Sequence, residues 1–246
     1  AASVVSVRPA TMARSTSSGA RRSTRTPSGV KRTEAVSITA TKRRSATGQA
    51  PGTTVTTEAS AEIEKAAIAR LCATEIPDKV SLFLNIGTST EAVAAELARR
   101  QDLMVVTNNM NVANILAGNP DCQVIVAGGA LRRADGGLVG SLTTQTIAQF
   151  KFDVAVIGCS ALDHDGDLLD FDIAEVGVSQ AILGRSRRTF LVADHSKLQR
   201  SAPARIASLA EIDTVFTDRA LPEGLAARCR DWGTRVMVTE PLPEAG

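Results

Sequence analysis

Seven short apolar runs, most of them separated from the next by a segment of helical spacing, constrain this chain more than any other feature. They are "SLFLNI", "LMVVT", "QVIVAG", "VAVIG", "RTFLVAD", "DTVFTD" and "TRVMVTE". Each is too short and too rich in β-branched residues for a helix, and each is apolar on both sides of the strand. Strands of that kind need cover on both faces, and their alternation with helices is the pattern of a parallel sheet. Helical spacing is predicted near 88–100, 109–117, 141–150, 173–185 and 221–231, with an earlier helix in "AEIEKAAIARLCATEI" that ends at Pro77-Asp78. The expected fold is α/β, a mainly parallel sheet covered by helices.

This pattern begins only after Thr57. No Leu and no aromatic residue precedes Leu71, and 21 of the first 57 residues are Ser or Thr. That segment carries ten Lys/Arg against one acidic residue, Glu34, while the remainder carries 18 against 25, so a net charge of +2 conceals a basic leader and an acidic body. Without large apolar side chains the leader has little to offset the entropy of ordering, and disorder is expected over 1–57. Such a composition also suits an organellar transit leader or a basic arm on nucleic-acid phosphates. The division expected is therefore a leader over 1–57 and one folded domain over 58–246.

The four cysteines, Cys72, Cys122, Cys159 and Cys229, form no C-x-x-C, and three of them lie among apolar neighbours. Buried thiols in a reducing compartment are expected, and hence a cytoplasmic protein. No run approaches the ~18 apolar residues of a membrane helix, so no membrane partner is expected.

In an open parallel sheet, ligands bind beyond the carboxyl ends of the strands, which directs attention to the loops there. In "LFLNIGTSTEAVAAEL", Gly87 allows a tight exit from the strand, and Thr88 with Glu91 has the spacing of a capping box. The amides and hydroxyls of Thr88, Ser89 and Thr90 either cap the helix or cradle an anion. Glu91 weighs against the second, because a carboxylate in the first turn repels a phosphate. Thr107, Asn108, Asn109 and Asn111 in "VVTNNMNVAN" serve equally as ligand donors or as turn and cap residues. "VAGGALRRADGGLVG", with Gly128, Gly129 and Arg132-Arg133, is either a ligand-approaching loop or a solvated turn. In "VADHSKLQR", Lys197 either meets an anionic ligand or pairs with Asp194.

Several chemistries are excluded or weak. The G-K-[ST] of a phosphate-binding P-loop is missing, as is a G-x-G-x-x-G after a strand. "GCSAL" is not G-x-S-x-G, and His164 and His195 are the only histidines, which disfavours a Ser or Cys hydrolase. "DHDGDLLDFD" departs from the calcium-loop spacing and reads as a solvated acidic turn. No cofactor and no metal site is expected.

In their order, "NIGTSTEAVA", "VVTNNMNVAN", "VIVAGGALRRADGGLVG", "LLDFDIAEV", "VADHSKLQR" and "IDTVFTD" resemble the effector-sensing domain of the DeoR family of bacterial transcription regulators. The resemblance covers about Ala61 to Glu240, and "TNNMNVAN", "LLDFD" and "DHSK" narrow it to members that respond to glycerol 3-phosphate. It implies a fold related to ribose-5-phosphate isomerase, used for binding, and a phosphorylated small molecule as effector. It implies that Gly87, Thr88, Ser89 and Thr90 cradle the phosphate, that Thr107, Asn108 and Asn111 with Gly128 and Gly129 line the pocket, and that Asp194 and Lys197 close it. It also implies operator DNA as a partner, read by a homo-oligomer through an N-terminal winged helix-turn-helix.

Two departures stand out. Asn85 replaces a frequent Asp, and Ser179-Gln180 replace a Lys-Arg pair. Residues 1–57 show no helix-turn-helix periodicity and resemble an out-of-frame segment. The expected protein is a repressor of carbohydrate or glycerol metabolism released from DNA by its effector, the alternative being a sugar-phosphate isomerase or deaminase on the same scaffold.

Overall fold

All seven apolar runs become strands of one sheet. The computed structural model describes residues 57–240; the leader predicted over 1–57 lies outside the described residues apart from Thr57, which begins the first helix. In chain order the elements are α1 (Thr57–Thr74), β1 (Ser81–Leu84), α2 (Thr88–Leu97), β2 (Leu103–Thr107), α3 (Met110–Leu116) and β3 (Cys122–Val126). A hairpin of β4 (Ala130–Leu131) and β5 (Leu138–Val139) leads into α4 (Ser141–Ala148) and β6 (Val154–Ile157). There follow β7 (Ala161–Leu162), β8 (Asp167–Asp170), α5 (Ile173–Leu183), β9 (Thr189–Val192), β10 (Ala204–Ser208), β11 (Thr214–Thr217), α6 (Glu223–Trp232) and β12 (Arg235–Val238).

The main sheet runs β12-β11-β9-β6-β1-β2-β3, and every pairing in it is parallel. Alternation along β1 explains why both faces are covered. Leu82 and Leu84 enter an apolar cluster with Ile68 and Cys72 of α1 and Val93 and Leu97 of α2, whereas Phe83 enters the opposite cluster with Ile147 of α4 and Val178 and Ile182 of α5. Each of these side chains is fully buried. Phe83 meets Phe152 edge to face at 5.2 Å, and Phe190 meets Phe216 at the same separation, which adds directed aromatic contact to the area buried.

The antiparallel parts come from segments without a strong apolar run. β10, β8 and β7 make a three-stranded sheet, and β4 with β5 a hairpin. "DHDGD" is the expected acidic turn, with Asp163 Oδ1 accepting from the amides of Asp165 and Asp167. All four cysteines are free thiols. Among the described residues no helix is long and apolar enough to cross a membrane.

The strand order places a topological switch beside β1: the chain proceeds to β2 and β3 on one side and to β6, β9, β11 and β12 on the other. Loops leaving β1 and β6 therefore diverge, opening a crevice at their carboxyl ends.

Candidate functional site

A cavity of about 150 Å³ occupies that crevice, floored by Asn85–Thr90 after β1 and Gly158–Ser160 after β6. Arg132 and Asp135 of the hairpin, Asp170 of β8, Glu175 and Ser179 of α5, Val192 of β9, Lys197 and Ile206 of β10 complete its wall.

Gly87 is the N-cap of α2, at φ 125°, a backbone state that side-chain-bearing residues rarely adopt. No side chain caps the helix, so the first-turn amides have no intrahelical acceptor and face an anion-receptive end. The predicted capping box does not form. Glu91 Oε1 instead accepts from Asn109 Nδ2 and Asn111 Nδ2, each at 3.0 Å, and Glu91 is not part of the cavity wall. Thr90 is buried with its hydroxyl committed to the carbonyls of Asn85 and Gly87, both at 2.7 Å, so it shapes the loop and lines the cavity beside Thr88 and Ser89.

Lys197 lies in a 3₁₀ turn, His195–Gln199, whose N-cap is Asp194. Among the described residues no carboxylate lies within ion-pair distance of its ammonium group, which leaves a cation at the cavity without a fixed counter-charge. Asp194 faces an adjoining cleft that shares Thr88 and Lys197 with the cavity. Burial disfavours its ionised form, but the Ser196 hydrogen bonds and the Lys197 and Lys65 charges outweigh that and hold it below the usual carboxylate range. His195 Nδ1 lies 2.6 Å from Asp218 Oδ2 and 3.9 Å from Glu64 Oε2, tying α1 to the ends of β9 and β11.

The structure does not bring Thr107, Asn108, Asn111, Gly128 or Gly129 to the cavity. Thr107 is buried and donates to Leu84 O at 2.7 Å, Asn108 donates to Leu138 O at 3.1 Å, and exposed Asn111 reaches Glu91 and Asp135 O. These groups fasten the β2–α3 loop to its neighbours. Gly128 and Gly129 pack on α4, where Thr143 Oγ1 donates to Gly128 O at 2.6 Å.

Glu175 is the residue that spacing did not single out. It is 2% exposed, with Oε1 3.4 Å from Ser179 Oγ, which itself accepts from Asn85 Nδ2 at 2.9 Å. Burial pushes its carboxyl up to about 8; the amide of Asn85 and the Arg132 charge oppose the rise, and the Asp170 and Asp135 charges add to it. The Asn85–Ser179 pair gives a neutral hydrogen bond at the positions flagged as departures. Cys159, also on the wall, is pushed up to about 12 chiefly by burial, which makes it a neutral thiol and a poor nucleophile.

The fold is a parallel α/β sheet with a polar cavity at its switch point, floored by the β1–α2 loop and lined by both basic residues, Arg132 and Lys197, and acidic ones, Asp135, Asp170 and Glu175. Residues 60–219 match the family described as "DeoR C terminal sensor domain". The chain belongs to the DeoR family. It is 46% identical over 159 residues to the glycerol-3-phosphate regulon repressor of Escherichia coli (strain K12), covering 65% of this chain and 63% of that protein. The Haemophilus influenzae protein of the same name is 43% identical over 176 residues, covering 72% and 68%. Ribose 5-phosphate isomerase A from Methanocaldococcus jannaschii superposes with a TM-score of 0.41 at 11% identity, over 55% of this chain and 53% of that one. The chain thus spans 63% of the length of the Escherichia coli repressor it matches.

Proposed function

We propose that this chain is the effector-sensing part of a transcriptional repressor of glycerol or carbohydrate metabolism, and that its effector is a small phosphorylated metabolite such as glycerol 3-phosphate. One observation carries the reading: the uncapped N-terminus of α2, Lys197, which has no ion-pair partner among the described residues, and Arg132, paired with Asp135 and Asp172, share one cavity at the switch point. The phosphate accepts from the amides of Thr88 and Ser89 and from the Ser89 hydroxyl, and Lys197 supplies the opposing charge. Glu91, the carboxylate that would repel it, is engaged by Asn109 and Asn111.

Binding there acts on α2, which shares its buried apolar cluster with α1, the first described helix. An effector that prefers one placement of α1 shifts the population toward it and lowers operator affinity. Operator contact belongs to a region outside the described residues, and the protein works in the cytoplasm. Exposed apolar residues support a homo-oligomer: Leu131 adjoins Arg132, Phe171 and Ile173 flank Asp172, and the Arg132–Asp172 ion pair at 3.0 Å brings the two segments together.

A thermal-shift series with phosphorylated metabolites tests the reading, since a ligand bound only by the native state raises its apparent stability. Stabilisation by unphosphorylated glycerol alone would count against it. The isomerase or deaminase alternative has a carboxylate available in Asp170, and turnover of a sugar phosphate would establish it; the relatives' names favour binding without turnover.

A further inference from the structure

One short turn carries groups that face two ways. The 3₁₀ turn His195–Gln199 presents Lys197 to the cavity, while its N-cap Asp194 and His195 line a cleft against Glu64 and Lys65 of α1. That cleft shares Thr88 and Lys197 with the cavity. The His195 end is pinned to the sheet: Asp218, just after β11, accepts from the His195 backbone amide at 2.6 Å, and its other oxygen lies 2.6 Å from His195 Nδ1. Glu64 Oε2 stands 3.9 Å from the same ring nitrogen, while Glu64 Oε1 accepts from Ser60 Oγ at 3.3 Å and lies 3.7 Å from Arg219 Nη2.

Lys65 is the cation of α1 on this cleft. Its side chain is only 17% exposed, and its one ion pair among the described residues is with Glu62 of its own helix, an exposed carboxylate that contributes little. Asp194 is thus flanked by two cations that act on it through charge, Lys197 on the cavity side and Lys65 on the α1 side.

Resting on the phosphate-site reading, we propose that Asp194 and Lys65 are positioning residues that report occupancy of the cavity to α1. An anion that pairs with Lys197 cancels the cation on one side of Asp194 and adds negative charge of its own. Lys65 is then the remaining cation facing that charge, and its attraction to the turn grows. Because the His195 end of the turn is fixed to Asp218, the turn holds its place and α1 is drawn onto it. Glu64, which the same anion repels, is compensated by Arg219. These groups are partly withdrawn from water, so salt screens them less than it would at an open surface. The route is polar and separate from the apolar contact of α1 with α2, and a change of charge alone distinguishes the two.

Amide hydrogen exchange of α1 in the full chain, with and without saturating glycerol 3-phosphate, tests this, alongside titration calorimetry for affinity. In the parent, exchange around Glu64 and Lys65 is expected to slow about two- to fivefold on binding. K65M keeps the apolar stem and loses the charge; it is expected to lose the slowing and, by linkage, to bind the ester more weakly by about the same factor, and K65R to restore both. Exchange in the parent's α1 that is unchanged or faster with ligand bound overturns the inference and leaves the phosphate site standing; that comparison needs no variant. Slowing that persists in a folded, ligand-bound K65M protein assigns the coupling to the apolar α1–α2 contact and overturns it as well. No binding of the ester by the parent removes the phosphate reading and the coupling with it.

Discussion

Asn109 Nδ2 donates to Glu91 Oε1 at 3.0 Å, which turns the acid in the first turn of α2 into a fastener for the next loop. Asn109 is also the N-cap of α3, accepting from the amides of Asn111 and Val112. The two jobs separate by substitution. Asn109→Ala should lower stability by about 1 kcal/mol through the lost cap. Asn109→Ser keeps a capping oxygen but is too short to hold Glu91, so thermal melting should change little while affinity for phosphate esters falls.

Lys197→Ala should weaken phosphate-ester binding by about tenfold or more, because a charge-assisted hydrogen bond is lost. With no ion pair to break among the described residues, its melting temperature should stay near that of the parent. An unchanged affinity would remove Lys197 from the site.

The raised Glu175 carboxyl makes a stability prediction with a definite sign. Its folded value of about 8 exceeds the ordinary 4.5, so the folded state binds the extra proton and stability declines as pH rises from 4.5 to 8, then levels off. Glu175→Gln removes that decline. The gap in melting temperature between variant and parent should grow in favour of the variant from pH 5 to pH 8.5, by an amount equivalent to no more than a few kcal/mol.

Gly129→Ala should be strongly destabilising. An added Cβ would stand 2.1 Å from Thr143 Oγ1 and 2.6 Å from Val139 O, so the hairpin or α4 must move. A loss of about 1–3 kcal/mol is expected in chemical denaturation. Gly140→Ala meets nothing within 4 Å and serves as a contrast in which backbone strain alone acts.

If a second copy covers the apolar residues beside the Arg132–Asp172 pair, the double substitution Phe171→Ser with Ile173→Ser should lower the sedimenting mass without lowering the melting temperature of the protomer. Both side chains are largely exposed, at 64% and 78%, so their removal leaves the protomer's own core intact.

Legibility followed the strength of local signals. The central runs of the main sheet, β1, β6, β9 and β11, are apolar at nearly every position because both faces are covered, and such runs stand out in one dimension. β7 and β4 are two residues long, β8 reads as part of an acidic turn, and β10 alternates weakly, so the antiparallel pieces were not visible. The Gly-Thr-Ser-Thr loop was legible as the turn that opens α2, and the structure places it on the floor of the cavity. Thr107, Asn108 and Asn111 were not separable from ligand groups, since the amides and hydroxyls that bind a metabolite also satisfy backbone carbonyls.

The order of residues by itself determined that strands alternate with helices, that the central strands are buried on both sides, and that a small-residue turn opens α2, because each of these is a property of neighbours along the chain. Tertiary structure alone decided which wall faces that turn. Glu175 reads as an ordinary acid in the first turn of a helix; only the packing of α5 against the main and small sheets removes its water, raises its affinity for a proton and sets it beside Arg132 in the cavity.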